Sequence, residues 1–219
     1  MKAQSTLMLA TITTAGMLTA CVNMSTLQTA RTLKPGQWEA TVGGGYYESP
    51  DLNEAVEEVA DTEVDRIASA YSELTLRRGI TENIDLGLKA TLPGTGVIDG
   101  KYQFIDAGGL AVAAGVGLGY LSLESGTGDE TSESTIFETH GTVYASYDVA
   151  PWFAIYAAPK YIGRFYGGES SGTSHMIGAT GGVKLGGRVG LYLETSHMTA
   201  LNADDFTAAQ FNGSLFFGF

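Results

Sequence analysis

Cysteine is nearly absent: Cys21 stands alone in 219 residues, so no disulfide can form within the chain. Long apolar runs are also missing. Hydrophobic residues reach 44%, yet no stretch approaches the roughly 18 that a membrane-spanning helix requires. Proline is scarce at 5 residues and charged residues make up only 16%, a composition too apolar for a disordered chain. If this chain crosses a membrane, it must do so with strands. The three histidines are scattered without metal-ligand spacing, and no cofactor is expected. A net charge of −12 argues against nucleic acid as a partner. The length suits one folded domain.

The first twenty residues read as an export signal. Lys2 supplies a small positive region, and Leu7 to Leu18 is uncharged and mostly apolar before small residues lead to Cys21. Leu18-Thr19-Ala20-Cys21 resembles the bacterial lipobox, which implies that diacylglycerol is attached to the Cys21 thiol before cleavage. Residue 22 is Val, not the Asp that resembles an inner-membrane retention signal, so the resemblance sends the anchor to the outer membrane. The alternative is an ordinary cleaved signal with an incidental cysteine. The chain thus divides into a signal peptide over 1–20, a lipidated periplasmic tether over 21–37 and a barrel over 38–219.

Ten segments of about 9–14 residues alternate with period two, the length of a tilted transmembrane strand. Trp38, Ala40, Val42, Gly44 and Tyr46 share one face of the first. In the third, Ile84, Leu86, Leu88, Ala90 and Leu92 alternate with Asp85, Gly87, Lys89 and Thr91. The fifth sets Leu110 to Tyr120 against Ala111, Ala113, Gly115, Gly117 and Gly119. An even count returns both ends to one side. Short connections over 79–83, 106–109, 149–151 and 186–188 fall on that side. The longer ones, including an acidic loop over Glu124–Thr135, fall opposite; only 93–96 is short there. This asymmetry predicts an all-β, antiparallel up-and-down transmembrane barrel rather than a soluble sandwich. Trp38, Phe104, Tyr147, Trp152, Phe153, Phe217 and Phe219 would mark the periplasmic interface, and Tyr46, Tyr120, Tyr161 and Phe165 the outer one.

Three further stretches carry a family resemblance. The chain ends on Phe219, with Phe217, Leu215 and Phe211 before it at even spacing and Asn212 as the preceding polar residue. This resembles the C-terminal signal read by the outer-membrane barrel assembly machinery, with Ser214 where Gly is usual. The run Arg78-Gly79-Ile80-Thr81-Glu82-Asn83-Ile84-Asp85-Leu86-Gly87-Leu88 resembles a hairpin of bacterial outer-membrane β-barrel proteins, and Lys101-Tyr102-Gln103-Phe104 their next strand. The whole mature chain is similar to β-barrel outer-membrane lipoproteins of the Gram-negative cell envelope. That resemblance implies contact with outer-membrane lipid and lipopolysaccharide; it implies no substrate and no catalytic residue.

Alternation turns six bases inward (Arg77, Lys89, Lys101, Lys160, Arg164 and Lys184) and five acids (Glu73, Asp85, Asp99, Glu138 and Glu194). So balanced a lumen should lock into ion pairs, because an unpaired charge there is costly. The small inner residues of the fifth strand leave room for Tyr144, Tyr156 and Arg164. A plugged structural core follows, and with it a structural or surface-interaction role; a narrow, porin-like pore for solutes or ions is the alternative. The acidity is concentrated in the expected external loops. Ser49–Ser69 holds Asp51, Glu54, Glu57, Glu58, Asp61, Glu63 and Asp65 against Arg66. Solubility accounts for such loops; divalent-cation bridging to lipopolysaccharide or a basic partner is the functional reading. Leu52, Ala55, Val56, Val59, Ala60, Val64 and Ile67 follow helical spacing, predicting a lid helix; the alternative is a long second strand starting near Thr62.

An enzymatic site is not expected. His140 shares an inner face with Glu138, Thr142 and Tyr144, so a general base could be built there. Glu194 and Ser196 point inward, but His197 faces the other way. No pattern resembles the lipid A deacylases or the outer-membrane proteases. Globomycin, which blocks the lipoprotein signal peptidase, should leave a full-length precursor in cells. Normal maturation in its presence would rule out the anchor at Cys21.

Overall fold

The computed structural model describes residues 23–48, 68–92, 95–127, 130–167, 172–201 and 207–219. Ten strands make up the barrel: β1 (Trp38–Glu48), β2 (Ala68–Gly79), β3 (Ile84–Leu92), β4 (Thr95–Ala107), β5 (Leu110–Thr127), β6 (Glu130–Ala150), β7 (Phe153–Gly167), β8 (Gly172–Gly186), β9 (Val189–Ala200) and β10 (Thr207–Gly218). Each pairs antiparallel with its neighbours in sequence, and β1 pairs with β10 to close the ring. Closure leaves no unpaired strand edge around the ring, while the β5–β6 extension past Tyr120 and Thr135 runs beyond its neighbours. The fold is the one the alternation predicts.

The two faces are inverted relative to a soluble protein. Val116 is 73% exposed and Leu88 57%, while Asp85 and Glu73 on the inner face are 0% and 2% exposed. A sandwich would bury the aliphatic face, so this arrangement excludes it. Exposed Phe104, Tyr147, Trp152, Phe217 and Phe219 collect at one rim, and Tyr46, Tyr120, Tyr161 and Phe165 toward the other.

At the first rim the connections are tight: residues 80–83, 108–109, 151–152 and 187–188. Gly108 and Gly109 turn the chain there with φ of 56° and 90°, a region that costs a residue with a Cβ. The opposite rim is uneven. β3 ends at Leu92 and β4 begins at Thr95, whereas β5 and β6 stay paired as far as Thr127 and Glu130. The acidic loop expected over 124–135 is therefore mostly a hairpin extension. Its Ser, Thr, Gly and Glu composition reads as loop, but the two strands pair with each other along their inner edges whatever their side chains, and its threonines favour strand.

Two bulges adjust the pattern. The β4–β5 register shifts between Gln103 and Ile105, so Phe104 and Ile105 are both exposed where strict alternation would bury one. A second shift lies in β6 between Asp148 and Ala150. Among the described residues there is no helix; the lid helix predicted near 52–67 lies outside them, as do the signal peptide and Cys21.

The expected tether requires correction. Residues 23–33 do not hang free: they run inside the barrel, with Met24, Leu27 and Ala30 almost fully buried. The chain emerges at the short-turn rim, where the Gly36 N–H donates to the Gly79 carbonyl at 2.9 Å and the Gly79 N–H to that of Gln37 at 2.9 Å, and then enters β1. The segment lacks alternation because it is not a strand of the wall, and its small Ser25, Thr26, Thr29 and Ala30 fit a narrow interior.

Neighbouring phenylalanines on opposite faces test the inverted packing. Phe216 is fully buried with Leu27, Tyr156 and Tyr192, so Phe216→Ala should cost about 3–5 kcal/mol of unfolding free energy. Phe217→Ala, on the exposed face, should cost less because surrounding detergent fills the void. Urea midpoints in micelles compare the two.

Candidate functional site

A segment enclosed by a closed barrel meets a difficulty. Its backbone N–H and C=O groups need partners, but every wall strand already has both edges paired. Side chains must supply the bonds instead, and the inward residues of alternating strands are the ones available.

The lumen does this with charged groups. Glu194 on β9 accepts the Thr26 N–H at 2.7 Å on one carboxylate oxygen and the Leu27 N–H at 2.8 Å on the other. Two successive N–H groups converge on one acceptor only where the backbone leaves the extended form, and Leu27 has a φ of 45°. Lys160 on β7 donates to the Met24 carbonyl and the Thr26 hydroxyl, both at 2.5 Å. Lys101 on β4 donates to the carbonyls of Thr29 and Arg31, each at 2.9 Å. Lys89 on β3 reaches the Ser25 carbonyl at 2.8 Å. Glu73 on β2 accepts from the Asn23 amide and the Ser25 hydroxyl. Such bonds to ionised groups are about twice as strong as neutral ones.

Neutral groups complete the cradle. Gln210 accepts the Met24 N–H at 2.7 Å and Gln103 the Thr32 N–H at 2.8 Å. At the short-turn rim Arg31 binds Asp106 at 2.8 Å and also pairs with Asp148. Apolar contacts follow a three-residue step. Met24 sits among Tyr47, Ile162, Met176, Met198, Ala200 and Ala208. Leu27 meets Tyr156, Tyr192 and Phe216. Ala30 fits between Ala111, Ala113, Ala158 and Tyr144.

The remaining inner charges pair within the wall. Arg77 holds Asp85 and Asp99. Arg164 lies 2.8 Å and His140 3.2 Å from the Glu138 carboxylate. Lys184 lies 3.0 Å from Glu39 and 4.3 Å from the centre of the Phe216 ring. A Cβ at Gly119 would come within 3.1 Å of the Glu138 Cβ, so glycine makes room for this cluster.

All eleven inward charges read from the sequence face the lumen, but they do not form one network. Lys89, Lys160, Glu73 and Glu194 bind the N-terminal segment, and Lys101 divides itself between that segment and Asp85 at 3.3 Å. Sequence reasoning missed Glu39 and Phe216, although both stand between outward neighbours and alternation places them inside. It missed the segment altogether. The one available signal was a run of small polar residues beside a lumen rich in charge.

The other singled-out residues have plainer settings. Ser196 donates to the Met24 carbonyl at 3.1 Å, while His197 lies on the outer face. Among the described residues His140 makes no hydrogen bond to a serine or threonine hydroxyl, and no His, Cys, Asp and Glu group is arranged to hold a metal. Phe219 exchanges two backbone hydrogen bonds with Trp38, at 2.8 and 2.9 Å, and so sits at the closing seam.

A cavity of about 260 Å³ at the short-turn rim is lined by Gln28, Arg31 and Leu33 of the segment and by Glu39, Trp152 and Lys184. Two pockets deeper in the lumen measure about 40 and 20 Å³, on the order of a single water each.

No protein-family model and no curated protein matches the sequence. Among solved structures, the chain is similar to the N-terminal β-barrel domain of Pseudomonas aeruginosa OprF, with 12% identity, a TM-score of 0.41 and coverage of 84% of this chain and 100% of that one. It is similar to the attachment invasion locus protein Ail of Yersinia pestis at 8% identity and a TM-score of 0.38, covering 84% and 99%. The outer-membrane protease OmpT of Escherichia coli gives 11% identity and a TM-score of 0.43, covering 87% and 100%. Likeness this distant carries nothing about activity.

Removing the Glu194 carboxylate tests the cradle. Glu194→Ala should speed exchange of the Thr26 and Leu27 amides roughly 10- to 100-fold, given about 1.5–3 kcal/mol for a hydrogen bond to a charged group. Hydrogen–deuterium exchange reads this directly; unchanged rates would mean the carboxylate does not hold the segment.

Proposed function

We propose that this chain is an outer-membrane barrel of the Gram-negative envelope, closed by its own N-terminal segment and acting as a structural or surface-interaction protein. The apolar outer face, the aromatic residues near both rims and the polar interior suit a bilayer. The short turns suit the periplasmic side and the long strands the exterior. The lipobox-like Leu18–Cys21 supports a lipid anchor as part of the same reading.

One observation carries the closed state: residues 23–33 fill the lumen and bond to its charged side chains. A pore needs a continuous wet path, and the small pockets on either side of the segment supply none. A non-enzymatic role has a similar basis. The one candidate base, His140, is engaged with Glu138, which also holds Arg164, so the group belongs to a structural ion-pair cluster. The acidic segments beyond the long-strand rim suit divalent-cation bridging to lipopolysaccharide.

In planar bilayers the purified full chain should show no reproducible single-channel steps. Discrete, repeatable conductance would replace this reading with that of a narrow pore.

A further inference from the structure

We infer that residues 23–33 are an eleventh crossing of the membrane, made inside the barrel, which carries the N-terminal end of the mature chain to the long-strand, outward-facing side. The inference rests on the proposed orientation, with short turns periplasmic.

The two ends of the segment lie at opposite rims. Arg31 binds Asp106 and Asp148, each within two residues of the short-turn end of its strand. Met24 packs against Tyr47, Ala200 and Ala208, which lie at the long-strand ends of β1, β9 and β10. Tyr47 adjoins Tyr46, one of the outer-rim aromatics. The eight residue steps from Asn23 to Arg31 reach at most about 28 Å, and the apolar band of an outer-membrane barrel is about 25 Å tall. The length therefore suits one crossing and nothing more.

Between Asn23 and the short turns, Met24, Leu27 and Ala30 fill the lumen in three apolar clusters. Among the described residues, the wall beside Asn23 is also at its lowest. Asn23 donates to Thr91 at 2.6 Å, and Thr91 pairs with Thr95 at the tip of the β3–β4 hairpin. The neighbouring β5, level with this hairpin at Tyr120 opposite Gly96, runs on for seven residues to Thr127. An acyl group carried two residues before Asn23 could pass over this low wall into the outer leaflet. A periplasmic tether would place it on the inner leaflet.

The test uses the full chain with a short epitope inserted between Val22 and Asn23, and separately within the 80–83 turn. Antibody should bind the first on intact cells and the second only after permeabilisation. Both epitopes hidden until permeabilisation, or both exposed on intact cells, would overturn the crossing. An exchange of the two results would keep the crossing and overturn the orientation, and with it the outward placement of the N-terminus. Should the insertion prevent assembly, the pair Ala30→Cys and Ser146→Cys reports on the segment separately, since the Ala30 N–H donates to the Ser146 hydroxyl at 3.2 Å. This pair should cross-link in assembled protein under oxidation; an assembled barrel without the cross-link would also overturn the proposal.

Discussion

A closed sheet has no free edge, and this constraint organises everything inside it. The wall strands spend their backbone groups on one another, so an enclosed segment cannot be bound as a further strand. It is bound by side chains. Glu194 accepts two successive amides, Lys101 bridges two carbonyls, and Lys160 and Lys89 take the carbonyls of adjacent residues. Recognition of backbone by ionised groups explains why a barrel with an apolar exterior keeps so many charges within.

The same constraint sorts those charges into two sets. Arg77 with Asp85 and Arg164 with Glu138 neutralise one another across neighbouring strands, while Arg77 with Asp99 and Lys184 with Glu39 do so across the lumen between strands that are not adjacent. Glu73, Lys89, Lys160 and Glu194 lean on the segment. An ion buried without a partner costs several kcal/mol, so loss of the segment would strand Lys89 and Lys160 first, whereas Glu194 would keep the Tyr156 hydroxyl and the Asn212 amide. Packing and electrostatics thus favour the same occupied state, with Met24, Leu27 and Ala30 filling the spaces between polar contacts.

Much of the wall was legible in the residue order. Strand number, closure and the inward direction of Glu73, Arg77, Lys101 and Lys160 all follow from period-two alternation, which a pleated backbone enforces. The pattern failed where the backbone departs from regular pleating or where polarity misleads. The bulge at Gln103–Ile105 turned Phe104 and Ile105 outward together. The polar hairpin ending at Thr127 and Glu130 looked like a loop because its Ser, Thr, Gly and Glu residues carry no period-two apolar pattern.

The topology is written in local patterns: alternation, turn spacing and the aromatic ends of strands admit few other solutions. What fills the lumen is fixed only once the strands have come together. Occupancy there depends on which charges remain unpaired once all ten strands are in register, and on whether Ser25, Thr26, Thr29 and Ala30 are small enough to pass between them. Those are long-range coincidences between residues up to 186 apart, as Met24 and Gln210 are. No local pattern in residues 23–33 records them.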